Sequence, residues 1–151
     1  MGALKDKLRA DLTTAMKARD ELTTATLRMV LTAVGTEEVA GKAARELSDD
    51  EVLKVITRET KKRREAAAAF VSGGRQDAAD RELAEYAVLE AYLPTQMSDA
   101  ELGALVAEAV SESGAHGPQG MSTVMKVVGP KVAGRAEGGR VAAAVRAALN
   151  S

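Results

Sequence analysis

Leu4, Leu8, Leu12 and Ala15 recur at intervals of four and three, the spacing of one helical face, with Lys5, Asp6 and Arg9 lying off it. Periodicity reopens after Asp20 with Glu21 and Leu22. A second apolar stripe follows at Leu27, Val30, Leu31 and Val34, which the intervening Thr23, Thr24 and Thr26 weaken only slightly. The pattern breaks down around Gly41, so Gly35–Ala44 reads as an exposed connection, with partial helix left open. Ser48-Asp49-Asp50-Glu51 is a capping box, in which the serine oxygen accepts an orphan amide and the glutamate reaches back to the serine amide. It predicts a long helix over about 49–71, with Val52, Val55, Ile56, Ala66 and Phe70 inward and Gly73-Gly74 ending it. Another helix is predicted over about 76–91, burying Leu83, Ala87 or Tyr86, and Leu89. Pro94 stops it, because the residue before a proline is pushed out of helical geometry.

Ser98-Asp99-Ala100-Glu101 is a second capping box and predicts a helix over about 99–112 with the stripe Leu102, Leu105, Val106, Ala109 and Val110. Residues 113–118 form a loop. A short helix over Met121–Val128 is then interrupted or bent by Gly129-Pro130. The last helix, about 137–149, presents Val141, Val145 and Leu149 on one side. No alternating strand longer than four residues is present, nor any asparagine-glycine or aspartate-glycine hairpin turn. The prediction is all-α: an N-terminal bundle of about four helices over 1–94 and a small three-helix domain over 98–150. The chain has no internal repeat.

Composition sharpens this picture. Alanine supplies 30 of 151 residues, Trp is absent, and Phe70, Tyr86 and Tyr92 are the only aromatic side chains of the Phe, Trp and Tyr class. The core is therefore aliphatic and thin. The lack of cysteine excludes disulfides, a thiol nucleophile and thiolate metal sites. No run reaches the length of a membrane span, and residues 1–20 lack the apolar core of a secretion signal, so a soluble cytoplasmic protein is expected.

Net charge is −1, from 21 Lys and Arg against 22 Asp and Glu. Its distribution is uneven. Residues 53–64 carry Lys54, Arg58, Lys61, Lys62, Arg63 and Arg64 against Glu59 alone. Residues 115–151 carry Lys126, Lys131, Arg135, Arg140 and Arg146 against Glu137 alone. Lys54, Arg58 and Lys61 form a ridge on the long helix with Lys62 beside it. That ridge matches either successive phosphates of a nucleic-acid backbone or a solvated face balanced by Glu59, Glu65 and the acids of the following helix. Interleaved aromatic residues, which would stack on single-stranded bases, are missing.

Candidate catalytic groups are few. One histidine, no His-Glu-x-x-His, no phosphate loop ending in Gly-Lys-Ser/Thr and no strand to precede one argue against zinc hydrolysis, nucleotide hydrolysis and a dinucleotide fold. His116 lies in a Gly/Ser/Pro loop and reads as an ordinary loop histidine, and Asp49/Asp50 and Glu37/Glu38 as cap or solvent residues. Met121 and Met125 read as core filler ahead of a recognition surface. The helix start at Gly120–Ser122 offers free amides. Gly134, Gly138 and Gly139 allow a tight connection and, with Gly120, a close backbone approach to a partner.

The ordered motifs resemble the GatB/YqeY family, whose domain also forms the C-terminal tail of the GatB subunit of the tRNA-dependent amidotransferase. The resemblance rests on Leu27-Arg28-Met29-Val30, Leu47-Ser48-Asp49-Asp50-Glu51-Val52, and Val55-Ile56 followed by Lys61-Lys62-Arg63-Arg64-Glu65. It continues through Gly74-Arg75 with Glu82 and Glu85, then Tyr92-Leu93-Pro94-Thr95-Gln96-Met97. It closes on Gly120-Met121-Ser122-Thr123-Val124-Met125-Lys126 and Pro130-Lys131-Val132-Ala133-Gly134-Arg135-Ala136-Glu137-Gly138-Gly139. Gly120-Met121-Ser122 departs from the family's usual Asp-Met-Gly, and Gly35-Thr36 stand where a basic or amide residue is common.

The resemblance implies an all-helical, two-part fold and a tRNA-associated role. Lys126, Lys131 and Arg135 are then the candidate RNA contacts, with Lys61, Lys62, Arg63 and Arg58 as a second surface. The expected partners are tRNA, or an amidotransferase, aminoacyl-tRNA synthetase or ribosome component, with no DNA, membrane, metal or cofactor. A protein–protein adaptor is the alternative. The larger enzyme's carbon–nitrogen ligase chemistry, with glutamine as amide donor, finds no activated nucleophile or nucleotide site among these residues.

Overall fold

A computed structural model describes residues 2–132 and 134–150. Its elements are α1 (Ala3–Lys17), α2 (Glu21–Glu38), α3 (Asp49–Ser72), α4 (Gln76–Glu90), α5 (Asp99–Ser113), a 3-10 turn (Pro118–Gly120), α6 (Met121–Val132) and α7 (Gly138–Leu149), with no strand among the described residues. The chain divides between Leu93 and Pro94 into two compact units, α1–α4 and α5–α7, each with its own core.

In the first unit the apolar stripes meet around Leu8, Leu27, Val30, Val34, Val52, Ile56 and Leu89. Helix α1 ends in a Schellman motif: the Asp20 amide donates to the Ala15 carbonyl at 2.9 Å and the Arg19 amide to the Met16 carbonyl at 3.2 Å. Arg19 takes the left-handed position, φ +59°, that glycine usually fills, at a cost of about 1 kcal/mol. Asp20 then caps α2, accepting from the Thr23 amide at 3.1 Å and its hydroxyl at 2.7 Å.

Helix α2 runs through Gly35 to Glu38, past the boundary that loss of periodicity predicted. Its last residue is held from outside: Lys5, only 7% exposed, donates to both Glu38 carboxylate oxygens at 2.8 Å, and the Leu47 amide donates to Glu38 at 3.1 Å. The lysine predicted to lie off the buried face of α1 is thus inside. One interior glycine costs a helix about 1 kcal/mol, which a half-buried, triply bonded Glu38 offsets.

The α3 capping box forms as predicted, with the Ser48 hydroxyl accepting from the Glu51 amide and Glu51 accepting from the Ser48 amide. Arg45 grips the same carboxylate, and its guanidinium, ahead of the Ser48 amide, draws the Glu51 carboxyl down to about 2. Helix α4 corrects the predicted register. Leu83 is 45% exposed and Ala87 is exposed, whereas Ala79 and Leu89 are fully buried and Glu82, Glu85 and Tyr86 half-buried between them. Beyond α4, the Tyr92 hydroxyl donates to Asp11 at 2.5 Å and Lys7 sits 5.0 Å over its ring, fixing the turn after α4 to α1.

In the second unit the Ser98–Glu101 capping box opens α5, and Gly114 closes it in the left-handed conformation. The core joins Leu102, Val106, Val124, Val128, Val141, Val145 and Leu149 and contains no aromatic ring. Of the interruption or bend predicted at Gly129-Pro130, the interruption does not occur: helix α6 continues through Pro130 to Val132. Pro130 is exposed and two residues from the end, so its missing amide removes a single late bond, while Val132 joins the core.

Gly120 has an internal role. A Cβ there would lie 2.9 Å from the Ala115 Cβ and 3.2 Å from a Leu149 methyl. Gly120→Ala is expected to lower stability by about 1–3 kcal/mol through overpacking, read from the urea midpoint followed by far-ultraviolet circular dichroism. An unchanged midpoint would show that this packing relaxes freely.

Candidate nucleic-acid interface

The basic run of α3 splits into an outer ridge and an inner charge. Lys54, Arg58, Lys61 and Lys62 are exposed along the helix. Arg58 lies 3.4 Å from Glu37, Lys61 3.9 Å from Glu65 and Lys62 3.1 Å from Glu59. The Arg58 and Lys61 pairs are exposed on both sides, are each worth about 0–1 kcal/mol and can be exchanged for phosphate at little cost, whereas the partner of Lys62, Glu59, is buried. Arg64 sits 5.9 Å from the centre of the Tyr86 ring.

Arg63 does not share that ridge. Its side chain is 14% exposed, donates to Glu59 at 3.1 Å and touches the Met29 sulfur. Its Nε faces Glu82 and Glu85, both at 3.8 Å. The Nε and a Glu82 oxygen are buried without a hydrogen-bond partner. Arg81 extends the knot, 3.5 Å from Glu85 and bonded to Glu21 at 3.0 and 3.1 Å. Its grip is the main reason the Glu21 carboxyl lies below the usual range. Arg63 thus ties α3 to α4 and is withdrawn from the predicted RNA-binding surface.

The second unit separates its cations in the same way. Lys126 and Lys131 are exposed on α6 and have no ion pair among the described residues. Arg135 instead donates its Nε to the Thr95 carbonyl at 2.8 Å and lies 3.5 Å from Glu101, while its own carbonyl accepts from the Met97 amide at 2.8 Å. Arg140 donates to the Met97 carbonyl at 3.0 Å and to Asp99 at 2.8 Å, and Gln96 donates to the Gly134 carbonyl at 2.9 Å. Residues 95–99 are therefore clasped to the turn between α6 and α7. Arg135 belongs to the clasp.

The glycines divide likewise. Gly120 is packed inside its own unit, correcting its assignment to partner approach. Gly134 holds φ +75° in the α6–α7 turn. Gly138 and Gly139 are exposed at the start of α7, where an added Cβ would meet open space or only the Glu137 carboxylate at 3.7 Å. Ala133 of the same motif lies outside the described residues. Arg146, absent from the predicted RNA-binding residues, is exposed on α7 beside a small cleft shared with Pro118, Met121 and Leu149.

His116 is exposed, its Nδ1 3.5 Å from the Gly114 carbonyl oxygen. No cluster of three or more metal-ligating side chains occurs among the described residues, and no described helix is long and apolar enough to cross a membrane.

The profile of the Yqey-like protein family matches residues 5–149, both units from the first turn of α1 to the end of α7. The chain belongs to the YqeY-like family. No curated protein matches it. The family match covers the Arg63 knot and the clasp as well as the exposed lysines.

Proposed function

We propose that this YqeY-like protein is a non-catalytic accessory protein of the cytoplasm that binds tRNA or tRNA-like RNA through the phosphate backbone, in the manner of the amidotransferase tail it resembles. The observation that carries this reading is the pair Lys126 and Lys131, exposed on α6 with no carboxylate partner among the described residues. No ion pair among the described residues accounts for these charges where they stand, which supports a role in neutralising phosphate. The glycine-bare start of α7 lies in the same unit and permits backbone approach. The ridge of Lys54, Arg58, Lys61 and Lys62 is a second phosphate-binding surface. With no aromatic platform beside either surface, recognition depends on RNA shape and backbone ahead of base identity.

The test is a fluorescence titration of the full chain against bulk tRNA at several salt concentrations. Affinity is expected to fall by roughly tenfold or more between about 50 and 200 mM monovalent salt, because bound phosphates release counterions. Absence of binding at the lowest salt would overturn the reading. Protein partners recovered equally well after nuclease treatment would replace it with an adaptor role.

A further inference from the structure

The corner joining α1 and α2 holds two arginines that neither the helix packing nor the lysine surfaces use. Arg19 is the one described residue other than glycine with a positive φ, and its side chain is exposed. It borders a cleft of about 430 Å³ lined by Met16, Glu21, Thr24, Ala25 and Arg28. Arg28 rests its guanidinium 3.7 Å from the Met16 sulfur, and Met16 is 48% exposed, one of few large apolar side chains left open to water. Glu21 is the only acid on the wall, and Arg81 already binds both its oxygens at 3.0 and 3.1 Å. Neither Arg19 nor Arg28 has a carboxylate partner among the described residues. This open surface groove therefore combines two cations that have no carboxylate partner among the described residues with the exposed, polarizable side chain of Met16.

We propose that this cleft receives a single unstacked nucleotide, its phosphate between Arg19 and Arg28 and its base against Met16 and the Arg28 guanidinium plane. Phosphate alone would leave Met16 uncovered, whereas a nucleotide carries both the anion for the two arginines and a planar base for the Met16 sulfur and the Arg28 guanidinium face. Arginine planes and apolar side chains are recurrent seats for splayed bases of folded RNA. The proposal deepens the RNA-binding reading and rests on it for the source of the nucleotide. Arg19 in the left-handed position fits this use, because glycine would satisfy the turn while losing the cation.

The experiment is an amide chemical-shift titration of the full chain with adenosine 5′-monophosphate, adenosine and inorganic phosphate in separate arms. The monophosphate is expected to shift the Met16–Arg28 amides with a dissociation constant on the order of millimolar. Adenosine and phosphate should each bind at least fivefold more weakly, and Arg19→Gly with Arg28→Gln should weaken the monophosphate at least tenfold. Arg19→Gly places the favoured residue in the turn, so loss of fold does not confound the result. No shift in this segment, an equal shift in the double variant, or equal binding of phosphate alone would overturn the cleft. A parallel tRNA titration separates the two readings: tRNA bound without a monophosphate shift removes the cleft alone. A monophosphate shift without tRNA binding removes the RNA-associated role and leaves a mononucleotide site.

Discussion

Arg63→Met is expected to lower the stability of the first unit by about 3 kcal/mol, the cost of leaving buried charges without their partner. Methionine keeps the stem's apolar packing and deletes the guanidinium. Glu59, whose side chain is 5% exposed, then retains only Lys62, and Glu82 and Glu85 lose the cation between them. The rim cation Arg81 is divided between Glu85 and Glu21 and cannot take over. Lys62→Met, by contrast, removes an exposed partner and should cost less than about 1 kcal/mol. Both variants are measured by denaturant unfolding followed through tyrosine fluorescence. Tyr86 and Tyr92, the only tyrosines, both lie in the first unit, and the chain has no tryptophan. The signal thus reports that unit even if the two unfold separately. Equal losses for Arg63→Met and Lys62→Met would show that the knot does not hold α3 to α4.

Lys126→Glu with Lys131→Glu carries the largest expected effect on binding. On the phosphate-binding reading, the pair should weaken tRNA at least tenfold near 50 mM salt and reduce the salt slope by about 2, one counterion for each lysine that no longer neutralises a phosphate. Arg135 is left out of this variant for a structural reason. Its guanidinium holds the Thr95 carbonyl and lies beside Glu101, so reversing it would break the clasp and confuse unfolding with weakened affinity. The urea midpoint of the double variant should stay within about 0.5 kcal/mol of the parent, since neither lysine has an ion pair among the described residues. A full loss of slope would make α6 the whole interface. A residual slope removed by Lys61→Glu with Lys62→Glu would make α3 its second part, and an unchanged slope would exclude α6.

The helices were legible because their signals are local. Both capping boxes sit within four residues, and each opens its helix at the predicted residue. The roles of individual charges were not, because they depend on partners far along the chain: Lys5 with Glu38, and Arg135 with Thr95. For Arg63 the balancing acids of the following helix were legible, and chain spacing locates them. Arg63 lies ten residues before Gly73, while Glu82 and Glu85 lie eight and eleven after Gly74, so an antiparallel α3–α4 hairpin sets them level. The same reflection argues against burying Leu83: α4 turns the faces of Ala79, Glu82, Tyr86 and Leu89 inward, and Leu83 falls outside that series. Periodicity counts apolar residues and so could not find a helix whose inner face carries half-buried glutamates. At Pro130 a local rule predicted an interruption or a bend; the helix is not interrupted, and Val132 beyond the proline joins the core.

The clasp has a consequence for how the second unit can be moved between proteins. Its first helix starts at Asp99, yet Thr95, Gln96 and Met97 already belong to it, and Met97 is buried in its core. A gene fusion or excised fragment joined at the helix boundary would discard a core side chain and take from Arg135 and Arg140 the Thr95 and Met97 carbonyls to which they donate. The transferable module begins at the proline.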